Sequence, residues 1–270
     1  MDEIKLPNEL TNTKFIYDKF RQFFDAAVAA WDVAVRFLPE EGTIGVGKTR
    51  IFNLCMLAIH AKQLRLFVAN YRLCRSGLGL EGLSVVRTMF ETFIHLKTLK
   101  EFENPENYAR LWMIWCVANN EKMARRIIDQ YPTYKEAFID LQHGLEEEKK
   151  KFNPDEWKNF VWRGPLRLNM EKLSQAVGLQ EAYKAFYPLA SSVHGYDLMA
   201  YAKFVSGDHI QPNLSPSLDV VDSNLGSSVN LLQESFELFN SLLDLKKETE
   251  VETLKQIVQK VRSYKTGVPD

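Results

Sequence analysis

Hydrophobic positions recur every three to four residues along nearly the whole chain, and this spacing predicts an all-α protein. No segment alternates between apolar and polar residues as a half-buried strand does, and no Asn-Gly hairpin turn occurs. Proline and glycine residues mark the predicted helix ends. The pattern predicts helices over residues 11–38, 50–76, 80–102, 222–245 and 249–264, a further helix opened by Asn104-Pro105, and a helix over 170–204 that kinks near Pro188 and Gly195.

Most connections between the predicted helices are short, and the chain has no internal repeat. This favours one domain over residues 1–270, built as a single bundle of long antiparallel helices. Pro154, Gly164 and Pro165 interrupt residues 153–169, which we therefore expect to form an irregular strap. The run of three glutamates and three lysines within residues 142–151 is typical of a solvated helix face.

Composition and charge exclude several classes of function. The 34 basic and 35 acidic residues create no net field that would draw the whole protein to nucleic acid or to an anionic membrane. The N-terminal residues lack the features of a signal peptide. The longest apolar run, residues 111–118, is far shorter than the ~20 residues that a membrane span needs. We expect a soluble protein with no membrane partner.

The three cysteines indicate a reducing environment. Cys55, Cys74 and Cys116 show no C-x-x-C spacing, and each lies in an apolar helical pattern. A free cysteine in such a position behaves as a small hydrophobic residue. The sequence therefore predicts a cytoplasmic protein with free thiols.

Residues 42–49 match the phosphate-loop pattern G-x-x-x-x-G-K-T at Gly42, Gly47, Lys48 and Thr49. A working phosphate loop needs a buried strand before it and a helix after it, so that backbone amides surround the phosphates. Here a proline and two acidic residues precede the loop, and no pattern for a parallel sheet follows. We interpret the match as a decoy, a flexible helix connection with Thr49 near a helix N-terminus.

The helix predicted over residues 80–102 carries Arg87, Glu91 and His95 at four-residue steps, which places them along one edge. The remaining positions are largely apolar, so we expect the helix to be mostly buried and its charges to be costly unless they are paired. Glu91 and His95 could ligate a metal, but a metal site in a helical bundle needs more ligands. We therefore predict neither a metal nor a cofactor.

A second candidate site is His194, which lies with Ser191 and Gly195 at the predicted kink. Small neighbours let a ligand or a second helix approach the backbone closely. Together the two segments resemble domain of unknown function 5677, in which an Arg-Ser/Thr-x-x-x-Glu helix precedes a Ser-x-x-His-Gly segment by about a hundred residues. The resemblance spans about residues 52–201 and implies no established activity. The matching residues are Arg87, Thr88, Glu91, Ser191, His194 and Gly195, and the helix that contains Tyr108 also looks alike.

One interpretation assigns chemistry to Arg87, Glu91 and His194. Arginine binds phosphate oxygens, histidine transfers a proton near neutral pH, and a carboxylate orients the histidine. This set suits a phosphate-bearing ligand, including RNA cleaved without a metal in a prokaryotic defence context. Helical ribonucleases of that kind carry an arginine and a histidine on one helix with four to six residues between them, whereas seven residues separate Arg87 from His95. The accompanying binding residues would be Ser191, Gly195, His95 and Tyr108.

The other interpretation is a non-catalytic interaction or scaffold module. In this case Arg87, Glu91 and His194 clamp two helices together and need no substrate. Long apolar helices such as residues 249–264 would then serve a partner or a homo-oligomer. The sequence leaves both interpretations open, and with them whether the protein is an enzyme.

Overall fold

The computed structural model describes residues 13–37, 50–130, 143–166, 168–185, 187, 205–206, 211–212, 218 and 220–264, and it confirms the all-α class. Residues 143–149 and 180–185 are helical as well. The principal helices are α1 (Lys14–Val35), α2 (Arg50–Arg75), α3 (Gly79–Glu101), α4 (Pro105–Gln130), α5 (Pro154–Arg163), α6 (Met170–Ala176), α7 (Val221–Leu243) and α8 (Glu248–Ser263).

The expected irregular strap over residues 153–169 is instead helical over most of its length, so that prediction was wrong. Asn153 caps α5, because its side chain accepts a hydrogen bond from the amide of Glu156 at 2.8 Å while the Glu156 carboxylate accepts one from the Asn153 amide at 3.1 Å. Pro154 occupies the first helical position, where its missing N–H costs nothing. The proline that suggested a break is the residue that starts the helix.

The helix predicted over residues 170–204 also needs correction. It ends at Ala176, and Gly178 has a φ of 70°, a left-handed backbone that glycine adopts readily. Helical structure resumes at residue 180. Farther on, Val205–Ser206 and Gln211–Pro212 form a pair of antiparallel two-residue strands.

The described residues divide between two compact units. The first contains the described residues within 1–46, 57–96 and 181–270, and the second contains those within 47–56 and 97–180. The arrangement of the chain as one domain stays a prediction.

In the first unit, successive neighbours run antiparallel. The rings of Phe24 and Tyr71 lie 5.4 Å apart, and the Arg75 side chain donates to the carbonyl of Thr13 at 3.1 Å, so α1 and α2 run in opposite directions. Helices α7 and α8 are likewise antiparallel, because Lys255 pairs with Glu237 and Arg262 bonds Asn230. The buried residues of α8 are Val251, Leu254, Val258 and Val261.

Buried amides connect α2, α3 and α7 across the core of this unit. Asn70 donates to the carbonyl of Asn224 at 3.2 Å, and the Asn224 amide donates to the carbonyl of Gly79. About two turns earlier on α2, Gln63 donates to the carbonyl of Met89 at 3.0 Å. Because these amides are enclosed, their hydrogen bonds specify which faces of the helices meet.

In the second unit, the charge run is solvated as predicted, with one exception. Lys149 and Lys150 pair with glutamates three residues earlier, and all four side chains are exposed. Glu148 is different, since only 9% of its side chain is exposed and both Arg110 and Lys151 pair with it. This carboxylate ties residues 143–149 to α4, a contact that the sequence analysis missed.

Trp115 connects α4 to α5. Its indole N–H donates to the carbonyl of Val161 at 2.9 Å, and the ring packs against Gly164, whose φ of 80° ends α5. Trp112 and Trp115 are half-buried rather than core residues.

The cysteine thiols are free, as predicted. Burial raises the pKa of Cys55 and of Cys74 to about 12, so both remain protonated and unreactive at neutral pH. None of the described helices combines the length and apolar character that crossing a bilayer requires.

Candidate functional site

Arg87, Glu91 and Tyr187 form a closed polar triangle in the first unit. The Nε of Arg87 donates to Oε1 of Glu91 at 3.0 Å. The Nη2 of Arg87 donates to the Tyr187 hydroxyl oxygen at 2.5 Å, and that hydroxyl donates to the same Oε1 of Glu91 at 3.0 Å. Each group therefore contacts the other two. We call these three residues the polar triangle.

The sequence of α3 explains why two members of the polar triangle share one edge. The four-residue step from Arg87 to Glu91 makes them neighbours on the helix surface. The apolar residues between and beside them are buried as predicted, with Val86 and Met89 fully enclosed. Arg87 and Glu91 keep 22% and 28% of their side chains exposed, so the pair is half-buried rather than buried.

Tyr187 bridges the ion pair from a helical segment about a hundred residues farther along the chain. The Arg87 guanidinium carbon lies 4.3 Å from the centre of the Tyr187 ring, a cation–π contact. On its other side the ring stacks on Tyr183 at 4.3 Å with an angle of 21° between planes. Burial, followed by the nearby Glu91 charge, raises the pKa of Tyr187 to about 12. The phenol therefore stays protonated and donates its hydrogen bond to Glu91.

This arrangement cancels charge rather than presenting it. The carboxylate and the guanidinium neutralise each other at 3.0 Å, and the phenol satisfies one more donor and one more acceptor. Arg87 retains donors that face solvent, because part of its side chain is exposed. An incoming anion would meet those donors next to a like-charged carboxylate.

His95, the third member of the predicted ladder, differs in character from Arg87 and Glu91. Burial, with a smaller contribution from Lys62, lowers the pKa of His95 to about 4. The imidazole is therefore neutral at physiological pH. In this form it attracts a phosphate group less than a charged imidazolium would.

Tyr108, predicted as a binding residue from the family resemblance, occupies a core position in the second unit. Its side chain is 1% exposed and packs against Phe102 and Trp112, with ring centroids 5.3 and 6.4 Å away. Burial raises the pKa of its phenol far above the usual value. An enclosed tyrosine of this kind stabilises the fold.

The remaining predicted site residues lie outside the described residues. They are Ser191, His194 and Gly195 at the expected kink, and Gly42, Gly47, Lys48 and Thr49 in the phosphate-loop match. Their roles stay predictions, as do the catalytic roles of Arg87 and Glu91. Within the described ranges, no three His, Cys, Asp or Glu side chains approach one another closely enough to hold a metal.

Tyr187 is the member of the polar triangle that sequence reasoning missed. A weak signal was present, since Tyr183 and Tyr187 stand four residues apart just before Pro188 and so share one helix edge. Nothing in that spacing indicates which distant ion pair the edge contacts. Only the packing of the chain brings residue 187 to residue 87.

A family model described as a family of unknown function (DUF5677) matches residues 54–210. The chain belongs to this family. The match contains all of the polar triangle and the two segments on which the resemblance rested. Helices α1, α7 and α8 lie outside it. Searches of curated proteins and of solved structures found no match to the chain.

Proposed function

We propose that this protein is a non-catalytic helical interaction module in which the polar triangle acts as an interhelical clamp. The observation that carries the proposal is the closed set of contacts among Arg87, Glu91 and Tyr187. Buried and half-buried polar groups that satisfy one another in this way fix how two helices meet. The contacts connect α3 to the helical segment that contains residue 187 and require no ligand.

Electrostatics favours the clamp over a phosphate site. A phosphate group would have to approach Arg87 while Glu91 repels it from the same edge of the helix. Displacing Glu91 would break its contacts with both Arg87 and Tyr187. Sites that bind phosphate tightly instead offer cations or backbone amides without an adjacent carboxylate.

The expected strength of the clamp is modest. Exposed ion pairs contribute about 0.2–1 kcal/mol, and this pair is partly exposed. The Tyr187 hydroxyl adds two hydrogen bonds, and a typical intramolecular bond contributes about 1 kcal/mol. We therefore expect a coupling energy of about 1 kcal/mol between Arg87 and Glu91.

A double-mutant cycle tests the clamp. Urea unfolding is measured for the wild type, Arg87→Ala, Glu91→Ala and the double variant, and Tyr187→Phe removes the hydroxyl alone. The matched control is Arg163→Ala on α5, because Arg163 is exposed and makes no ion pair in the described part of the chain. A coupling near zero, together with wild-type stability of Tyr187→Phe, would refute the clamp.

Partial exposure of Arg87 and Glu91 supports a second candidate function, the binding or cleavage of RNA by Arg87, Glu91 and His194. The test is cleavage of labelled single-stranded RNA in EDTA by the wild type, His194→Ala and Arg87→Ala. Loss of cleavage in His194→Ala and Arg87→Ala, with both variants as stable as the wild type, would favour this function over the clamp. Absence of cleavage by the wild type would leave the clamp as the better account.

A partner, if the module has one, must use a surface other than the apolar face of α8. That face is buried within the chain, so a role of α8 toward a partner or a second copy, which stays a prediction, would have to use its other side. Trp162 on α5 is the better candidate contact, because 83% of it is exposed. If the chain forms homo-oligomers through Trp162, light scattering will give a smaller mass for Trp162→Ala than for the wild type. Equal masses would exclude Trp162 from a homo-oligomer contact.

A further inference from the structure

A cavity of about 560 Å³ opens among α1, α3, α7 and α8 in the first unit. This volume falls within the ~300–1,000 Å³ of small-molecule sites. Its apolar walls come from all four helices and are contributed by buried side chains, among them Phe23, Phe90, Leu231, Val258 and Val261. Its polar lining includes Ser223, Ser227, Asn230 and Arg262. A large apolar interior with a few polar groups is typical of a site for an amphipathic ligand.

Gly226 keeps part of this cavity open. It lies inside α7, where glycine costs roughly 1 kcal/mol relative to alanine. A Cβ at this position would lie 3.5 Å from Val261 and 4.0 Å from Phe23, which are ordinary contact distances. Close packing therefore does not require the glycine. A larger side chain at position 226 would fill space that is now part of the cavity.

Arg262 supplies a cation with which no carboxylate among the described residues forms an ion pair. Its Nη2 donates to Oδ1 of Asn230 at 2.6 Å, and it makes no ion pair in the part of the chain that the structure describes. The neutral Asn230 amide in turn donates to Glu234, one helical turn farther on. Because its side chain is exposed, Arg262 retains donors that can reach a ligand.

Asp222 is the acidic residue among the described lining residues. Its carboxylate accepts a hydrogen bond from the Ser223 amide at 2.7 Å in the first turn of α7, where the helix dipole favours a negative charge. It precedes Asn230 by eight residues, which corresponds to about 12 Å along the helix. Among the described lining residues, the charged group at the end near Asn230 is therefore Arg262, and the Glu234 carboxylate that contacts Asn230 is not part of the lining.

We propose that this cavity binds a small lipophilic monoanion, with the apolar body between α3, α7 and α8 and the anionic group on Arg262. The apolar body of the ligand would contact the buried aromatic and aliphatic side chains that form the cavity walls. A carboxylate or sulfonate at the rim would remain partly hydrated while it gains a charge-assisted hydrogen bond from the guanidinium. The cavity residues on α1, α7 and α8 lie outside the family match, whereas Val86, Phe90 and Ala182 lie inside it, so the site combines both parts of the chain.

The test uses 1-anilinonaphthalene-8-sulfonate, an aromatic monoanion whose fluorescence rises in an apolar site, and the uncharged N-phenyl-1-naphthylamine as its partner probe. We expect the wild type to bind both probes saturably. Gly226→Leu fills the cavity and should weaken both by about tenfold or more. Arg262→Gln keeps a hydrogen-bonding side chain but loses the charge, so it should weaken the sulfonate about fivefold and leave the uncharged probe unchanged.

Arg163→Gln is the matched control, an exposed arginine in the last turn of α5 that should leave both affinities unchanged. Circular dichroism and thermal unfolding verify that each variant folds; should Gly226→Leu fail to fold, Ser227→Leu fills the same cavity from the next position. If a folded cavity-filling variant binds both probes as tightly as the wild type does, the proposed site is overturned. Equal weakening of both probes by Arg262→Gln would overturn the anionic specificity, and a wild type that binds neither would overturn the whole proposal.

Discussion

Replacing Gly82 by alanine should destabilise the protein, although alanine is the better helix former. Gly82 lies in the first turns of α3, directly beneath two buried amides. An added Cβ would stand 2.8 Å from Nδ2 of Asn224 and 2.8 Å from Oδ1 of Asn70, which is closer than real Cβ atoms approach. At least one amide must move.

The loss of folding free energy follows from the hydrogen bonds that those two amides make. Asn70 and Asn224 are at most 1% exposed, so neither can turn toward water. Their movement strains two hydrogen bonds, from Asn70 to the Asn224 carbonyl and from Asn224 to the Gly79 carbonyl. A buried polar group left unsatisfied costs about 1–3 kcal/mol. Because two hydrogen bonds are strained, we take a cost of about 3 kcal/mol. After subtracting about 1 kcal/mol for the helix propensity of alanine, we expect a net loss of about 2 kcal/mol.

The assay is urea unfolding of the full chain, supported by thermal melts. A loss of about 2 kcal/mol corresponds to roughly 4–8 °C for a chain of this size. Gly226→Ala is the matched control, because it makes the same substitution inside a helix but places the Cβ at ordinary contact distances. It should raise stability by about 0.5–1 kcal/mol. Equal shifts in the two variants, or a gain of stability in Gly82→Ala, would refute the reasoning.

Three further predictions concern single side chains. Burial lowers the pKa of His60 from 6.5 to about 4, so the unfolded state takes up the proton first and the protein loses stability as the pH falls below 6.5. His60→Phe should remove about 2 kcal/mol of that loss at pH 5. The measurement compares urea unfolding midpoints at pH 7 and pH 5. Glu148→Gln removes the charge that pairs with Arg110 and should cost about 2 kcal/mol at pH 7 in the same assay, whereas Glu147→Gln on the exposed face should cost almost nothing. Asn153→Ala removes the cap of α5 and should cost about 1 kcal/mol, with Asn159→Ala in the same helix as its control.

Helix content and most helix bounds were predictable, because they depend on local periodicity and on the residues at helix ends. The bounds of α2 and α3 lie within about one residue of those predicted. The two errors also have local causes. Pro154 suggests a break in the sequence pattern, although it starts α5. The pattern also does not reveal that Gly178 has a left-handed backbone after α6.

The candidate site was only half predictable. The step from Arg87 to Glu91 is a property of one helix, so the sequence alone determined that these two side chains are neighbours. Tyr187 contacts them from about a hundred residues farther along the chain. The side-chain amides of Asn70 on α2 and Asn224 on α7 pack against Gly82. Helical periodicity states which face of a helix is apolar, but it does not state which other helix covers that face. That choice depends on how the side chains of distant helices fit together, and only the tertiary structure decided it.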